Sequence, residues 1–148
     1  MPPSRSSYGD RTLEQLEGAI RSPEYDSFLA SRCHALFRVP LGEFSDEDLR
    51  IMIGQNLGLR YLIPIALDRL QKNPWRAGDM YEGDLLAAVL RSSEGFWENT
   101  VNHSSLCRVL AVVEAALLQT PPDLPTYDDI LSLLTGFTKR FEKPPTER

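Results

Sequence analysis

Apolar residues recur along most of this chain at intervals of three and four, the spacing that places them on one face of an α-helix. Leu13, Leu16 and Ile20 form a first short stripe. Thr12 precedes it as N-cap with Gln15 three residues on, a capping box, and the helix is expected to run to about Arg21. Ser22-Pro23-Glu24 then restarts a helix, since proline suits a first helical position, with Tyr25, Phe28, Leu29, Cys33, Leu36 and Phe37 inward and Val39-Pro40 as its end. The next start is marked by Ser45 as N-cap, Asp48 three residues on, and Phe44 and Leu49 at the staple positions; Leu49, Met52 and Ile53 face inward and Gly54 or Gly58 stops the helix.

A helix over residues 59–72 carries Leu62, Ile63, Ala66, Leu67 and Leu70, and Pro64 must lie in its first turn or kink it. Residues 73–82 form a loop with Trp75 and Tyr81. A helix from about Gly83 buries Leu85, Leu86, Val89 and Leu90, and Ser93 caps a short turn holding Phe96 and Trp97. Residues 103–119 are the longest regular stripe, with Leu106, Val109, Leu110, Val113, Ala116 and Leu117. Pro121, Pro122 and Pro125 stiffen a linker. Thr126 and Asp129 open a last helix with Ile130, Leu134, Phe137 and Phe141 inward, closed by Pro144-Pro145. No alternating strand pattern or internal repeat is found. The expectation is an all-α fold, one compact bundle of seven or eight short helices over residues 12–143, with tails at 1–11 and 144–148.

Composition narrows the function. The chain has 148 residues and a net charge of −5. Nucleic-acid binders need a basic surface to neutralise phosphates, so none is expected as a direct partner. The charge is uneven. Residues 39–56 hold Glu43, Asp46, Glu47 and Asp48 against Arg50; residues 57–76 hold Asp68 against Arg60, Arg69, Lys72 and Arg76; residues 77–104 hold Asp79, Glu82, Asp84, Glu94 and Glu98 against Arg91. Two acidic blocks therefore flank a basic one. Capping accounts for Asp46, Glu47, Asp48 and Asp84, but Glu43, Asp79 and Glu82 lie in connections, where recognition residues concentrate. Trp75 and Tyr81 share the second connection and belong to residue types enriched at interface hot spots.

Catalytic chemistry is thinly represented. Cys33-His34 and His103…Cys107 are the soft-ligand residues, and adjacent helical residues such as Cys33 and His34 point about 100° apart. Cys33 falls on an apolar stripe, where a thiol is ordinary core filling. Gly54-Gln55-Asn56-Leu57-Gly58 lacks the Lys-Ser/Thr of a phosphate loop and reads as a helix stop. No metal, cofactor or catalytic group is expected. The two cysteines make no disulfide framework, no signal peptide is seen, and no apolar run approaches the ~18 residues of a membrane span, which together predict a cytoplasmic protein without a membrane partner.

Several blocks taken in order resemble a known family: Leu13-Glu14-Gln15-Leu16-Glu17, Tyr25-Asp26-Ser27, Arg32-Cys33-His34-Ala35-Leu36, Pro40-Leu41-Gly42, Asp46-Glu47-Asp48-Leu49-Arg50, Ile53-Gly54-Gln55, Tyr61-Leu62-Ile63-Pro64-Ile65-Ala66-Leu67 and Gly78-Asp79-Met80-Tyr81-Glu82-Gly83-Asp84-Leu85-Leu86. Over residues 12–91 the chain is similar to immunity proteins of contact-dependent growth inhibition systems. Arg60 departs from the pattern, which has proline there, and residues 92–148 carry no recognised block. The resemblance implies a cytosolic protein, not an enzyme, that binds and neutralises a cognate toxin domain. The acidic charge suits a basic toxin, such as a nuclease, and the expected toxin-binding residues are Glu43, Asp46, Glu47, Trp75, Asp79, Tyr81, Glu82 and Asp84. Two rival readings stand beside it: a small metal-dependent or thiol enzyme using Cys33, His34, His103 and Cys107, and a helical adaptor that binds a peptide in a groove.

Overall fold

A computed structural model describes residues 9–18, 28–119 and 127–141. Among them are eight α-helices: α1 (Leu13–Glu17), α2 (Phe28–Leu36), α3 (Asp46–Gly54), α4 (Leu59–Lys72), α5 (Asp84–Leu90), α6 (Glu94–Glu98), α7 (His103–Leu118) and α8 (Tyr127–Phe141). Short 3-10 turns lie at Leu41–Glu43 and Thr100–Asn102. The only pairing of extended backbone among the described residues is an isolated bridge between Ala77 and Glu82. The all-α expectation holds. The restart at Ser22-Pro23, Tyr25, the proline linker, the Thr126 cap and Pro144-Pro145 lie outside the described residues.

Local signals set most of the boundaries. Thr12 and Gln15 exchange hydrogen bonds across the start of α1, and Ser45 and Asp48 do so across the start of α3, each satisfying two amides that the helix leaves free. Phe44 and Leu49 are both buried beside the second cap. Gly58, at φ +62°, ends the turn after α3 and opens α4. Pro64 is the sixth residue of α4, beyond the first turn, and the helix runs through it; the missing N–H is one that the carbonyl of Arg60 would otherwise accept. Ser93 precedes α6 but makes no side-chain cap, contrary to expectation; Asn99 instead caps the turn that follows, accepting from the Val101 N–H.

Packing assigns these helices to one core. α3 lies against α5, α4 against α7, and α8 against both α5 and α7. Leu13, Phe37, Met52, Leu67, Leu86, Trp97, Val113 and Phe137 all join the same buried cluster. Three stripe residues depart from expectation: Phe28 and Leu29 are exposed in the first turn of α2, where burial begins at Cys33, and Leu117 is exposed in the last turn of α7. The last residues of the expected N-terminal tail are held in place, because the Gly9 and Arg11 carbonyls accept from the Gly42 and Leu41 amides.

Thr100–Leu118 corrects another expectation. By length and composition this helical stretch is long and apolar enough to cross a membrane. In the fold its Val109, Val112, Val113 and Ala116 are buried and α7 packs on α4 and α8, while Val101, Leu117 and Leu118 are exposed.

Candidate interaction surface

The first turn of α3 is where the acidic and basic blocks meet. Asp46, at its first position, accepts from Arg69 Nη1 of α4 at 2.9 Å and from Arg76 Nε of the following loop at 2.6 Å. Arg69 also donates to the Phe44 carbonyl at 2.8 Å. Glu47 takes a forked pair of hydrogen bonds from Arg50, one turn further on, with Nε at 2.7 Å. Its Oε1 accepts as well from the Asp79 backbone N–H at 2.9 Å. Asp48 closes the capping box and receives Arg32 of α2. Four arginines thus converge on one helical turn.

The second acidic block joins from the opposite side. Asp84 opens α5, and its carboxylate is almost fully buried. Oδ1 accepts from the Gly78 N–H at 2.6 Å, and Oδ2 accepts from the Met80 and Tyr81 N–H groups at 2.9 and 3.2 Å. Arg50 Nε lies 3.8 Å from that same Oδ2, which ties Asp84 to the Glu47 pair. Gly78 fits only because it lacks a Cβ, which would sit 2.7 Å from Glu47 Oε1. Gly83, at φ +91°, is wedged between the Trp75 ring and Ile130 of α8. The 76–83 loop is therefore fastened from three sides, by α3, α5 and α8.

Of the residues expected to bind a partner, the fold turns Asp46, Glu47 and Asp84 into internal ties. Trp75 is buried against Gly83, and Tyr81 is half-buried against the core. Glu43, Asp79 and Glu82 are exposed and form no ion pair among the described residues. Asp79 and Glu82 bracket Met80, whose side chain is 64% exposed and was not singled out from the sequence. Glu43 stands apart from them, lining a cleft of about 680 Å³ with Asp10, Asp68, Arg69 and Lys72. Arg32, Arg50, Arg69 and Arg76 were also missed as partners. The juxtaposition of oppositely charged blocks was the available signal, since such blocks on packed helices can neutralise one another.

The charge pairing has a pH consequence. Hydrogen bonds from Arg50 hold the Glu47 carboxyl below its ordinary value; burial opposes this, and the Asp79 N–H adds to the lowering. Arg50 is raised in turn, first by its hydrogen bond to Glu47. A carboxyl depressed in the folded state stabilises it above its unfolded pKa of about 4.3, and that contribution is lost as pH falls through the lower folded value. Glu47→Gln should therefore destabilise the protein at pH 7, and the gap between the two proteins should narrow as the pH falls from 7 to 3. Urea unfolding of both at the two pH values measures this, and a gap unchanged at pH 3 would contradict it.

The thiol and imidazole groups do not assemble into one site. Cys33 is buried in α2, where desolvation raises its thiol pKa. On α7, His103 Nε2 and Cys107 Sγ lie 3.5 Å apart, one turn from each other and exposed. Among the described residues no group of three or more His, Cys, Asp or Glu side chains could hold a metal ion.

No curated protein matches the chain. The profile of one family, described as CDI immunity proteins, matches residues 14–105, well beyond the residue 91 to which the resemblance extends, and so takes in α6 and the first turn of α7. That span is more than half of the chain and includes every acidic and basic residue of the paired cluster, and the chain belongs to the CDI immunity protein family, with a function in immunity against a CDI toxin.

Proposed function

We propose that the protein binds the C-terminal domain of its cognate toxin in the cytosol and neutralises it stoichiometrically, as an inhibitor and not as an enzyme. The contact surface is the exposed part of the 76–83 loop, centred on Asp79, Met80 and Glu82, with half-buried Tyr81 beside them; Glu43, apart from this loop, adds a further exposed negative charge. Asp46, Glu47, Asp84 and Trp75 serve that surface from behind. The observation that carries the reading is the exposed loop itself. Its carboxylates stay free of intramolecular ion pairs among the described residues, while the carboxylates behind them are fully engaged. Free carboxylates on a fixed loop favour a cationic partner face, such as the substrate-binding side of a nuclease. Charge complementarity of this kind mainly speeds encounter, and salt screens it.

The test reverses the free charges and leaves the internal ones alone. Glu43→Lys, Asp79→Lys and Glu82→Lys combined should slow association with the toxin encoded beside this protein by about tenfold or more at low ionic strength. The variant should also flatten the salt dependence and weaken protection of cells that express the toxin. Glu47 is excluded, because its replacement would unfasten Arg50 and the Asp79 amide. A folded triple variant that associates as fast as the parent and protects as well would place the interface elsewhere.

A further inference from the structure

We infer that Asp84 is a positioning residue for toxin capture: its buried carboxylate fixes the backbone of the 78–81 turn so that Met80, between Asp79 and Glu82, meets the toxin already in its bound shape. This inference rests on the toxin-contact reading above and adds to it the device that makes the contact. It also adds the chemistry of the partner face, an apolar recess for a methionine side chain with cationic groups at its rim.

The geometry is specific. A residue at the start of α5 would satisfy its capping role by facing the amides of its own helix. Asp84 instead turns its carboxylate back on the loop and accepts from three loop N–H groups within a seven-residue span. A carboxylate offers enough lone pairs for all three, and an amide does not, since one of its two terminal atoms is a donor. Glu47 reaches the loop from a different helix and takes the one amide in that stretch, Asp79, that Asp84 leaves over. Four consecutive backbone donors, Gly78 to Tyr81, therefore end on two carboxylates. Arg50 stands between those carboxylates and offsets their mutual repulsion. The result is a loop with little regular structure whose exposed tip is nevertheless held residue by residue. Met80 is the exposed large apolar side chain of that loop, and no internal packing explains its position. Ordering a loop before binding removes an entropic cost from association, and a methionine adapts to an irregular recess.

Asp84→Asn tests the inference, because it keeps the volume and removes the ability to accept from all three amides. In the free protein, hydrogen exchange at Gly78, Met80 or Tyr81 should quicken, while amides in the body of α5 stay protected. The complex with the cognate toxin should weaken by about tenfold, because the loop must then be ordered on binding. The loss should shrink when the same change is made in a Met80→Ala background, because the two residues then act through one contact. Gly78→Ala is the second variant, disturbing the same two carboxylates from the loop side should Asp84→Asn fail to fold.

Unchanged exchange at all three amides would overturn the inference. So would faster exchange with toxin binding as tight as the parent's, or losses from Asp84→Asn and Met80→Ala that simply add. The toxin-contact reading fails separately: if Met80→Ala and the triple charge reversal leave binding intact, the toxin docks on another face and the positioning role falls with it. If those variants weaken binding and Asp84→Asn does not, the contact stands and only the positioning role is lost.

Discussion

Phe137→Ala should cost about 3–5 kcal/mol of folding stability, the range for removing a fully buried aromatic ring and leaving a cavity. Phe137 is the keystone of α8. Its ring stands edge-on to Trp97 with centroids 5.5 Å apart and lies 4.7 Å from Phe141. Trp97 is itself fixed from the other side, because its indole N–H donates to Ser92 Oγ and Phe96 meets it edge-on. Neighbours held in this way cannot collapse into the space that a lost ring leaves. The change tests a segment beyond the family match, which ends at residue 105. If α8 were an appendage, removing its central ring would cost little. Urea unfolding gives the magnitude, and near-ultraviolet circular dichroism reports whether Trp97 loses its fixed surroundings. A cost below about 1 kcal/mol would show that α8 does not pack on Trp97 as described.

Gly83→Ala should cost about 2–4 kcal/mol, from a strained backbone and overpacking acting together. At φ +91° an L-residue is disfavoured whatever surrounds it. The added Cβ would also lie 3.0 Å from both Ile130 Cδ1 and Trp75 Cε3. The terminal methyl of Ile130 can shift, whereas the indole ring cannot without moving the loop. Gly83 also donates to the Trp75 and Arg76 carbonyls, so strain there should pass into the 76–83 loop and reduce toxin affinity. Gly136→Ala is the control: it lies within α8, meets nothing within 4 Å, and should be neutral or stabilising by up to about 1 kcal/mol. Equal effects at the two glycines would mean that the close approach at Gly83 is not real.

The pairing seen around Asp46 shows why charge blocks alone mislead. In the sequence, Asp46, Glu47 and Asp48 complement the positive end of a helix, and Arg69 and Arg76 make the next block basic. Both statements are true locally, and both vanish as surface properties once α3 and α4 pack together. Two of the cations in the basic block then neutralise one carboxylate of the acidic block. Glu43, Asp79 and Glu82 differ because none of them forms an ion pair among the described residues, although Asp79 lies close enough to Arg50 to act on it electrostatically.

What the sequence by itself determined was whatever depends on neighbours a few residues away. The capping boxes at Thr12 and Ser45, the 59–72 helix with its end at Asn73, and the stripe through α7 rest on i to i+3 and i+4 geometry, which the chain carries locally. Ser93 shows the limit even there, since a capping residue type caps only if the approaching backbone aims its hydroxyl at the helix amides. Only the tertiary structure decided the rest. Asp84 is an ordinary first-turn acid until the loop folds over it, and Trp75 is an interface residue type until the fold buries it against Gly83. Arg32, Arg69 and Arg76 reach carboxylates 16, 23 and 30 residues away. Met80 became a candidate for the same reason: exposure is a property of how helices pack around a residue, and nothing in its local sequence encodes it.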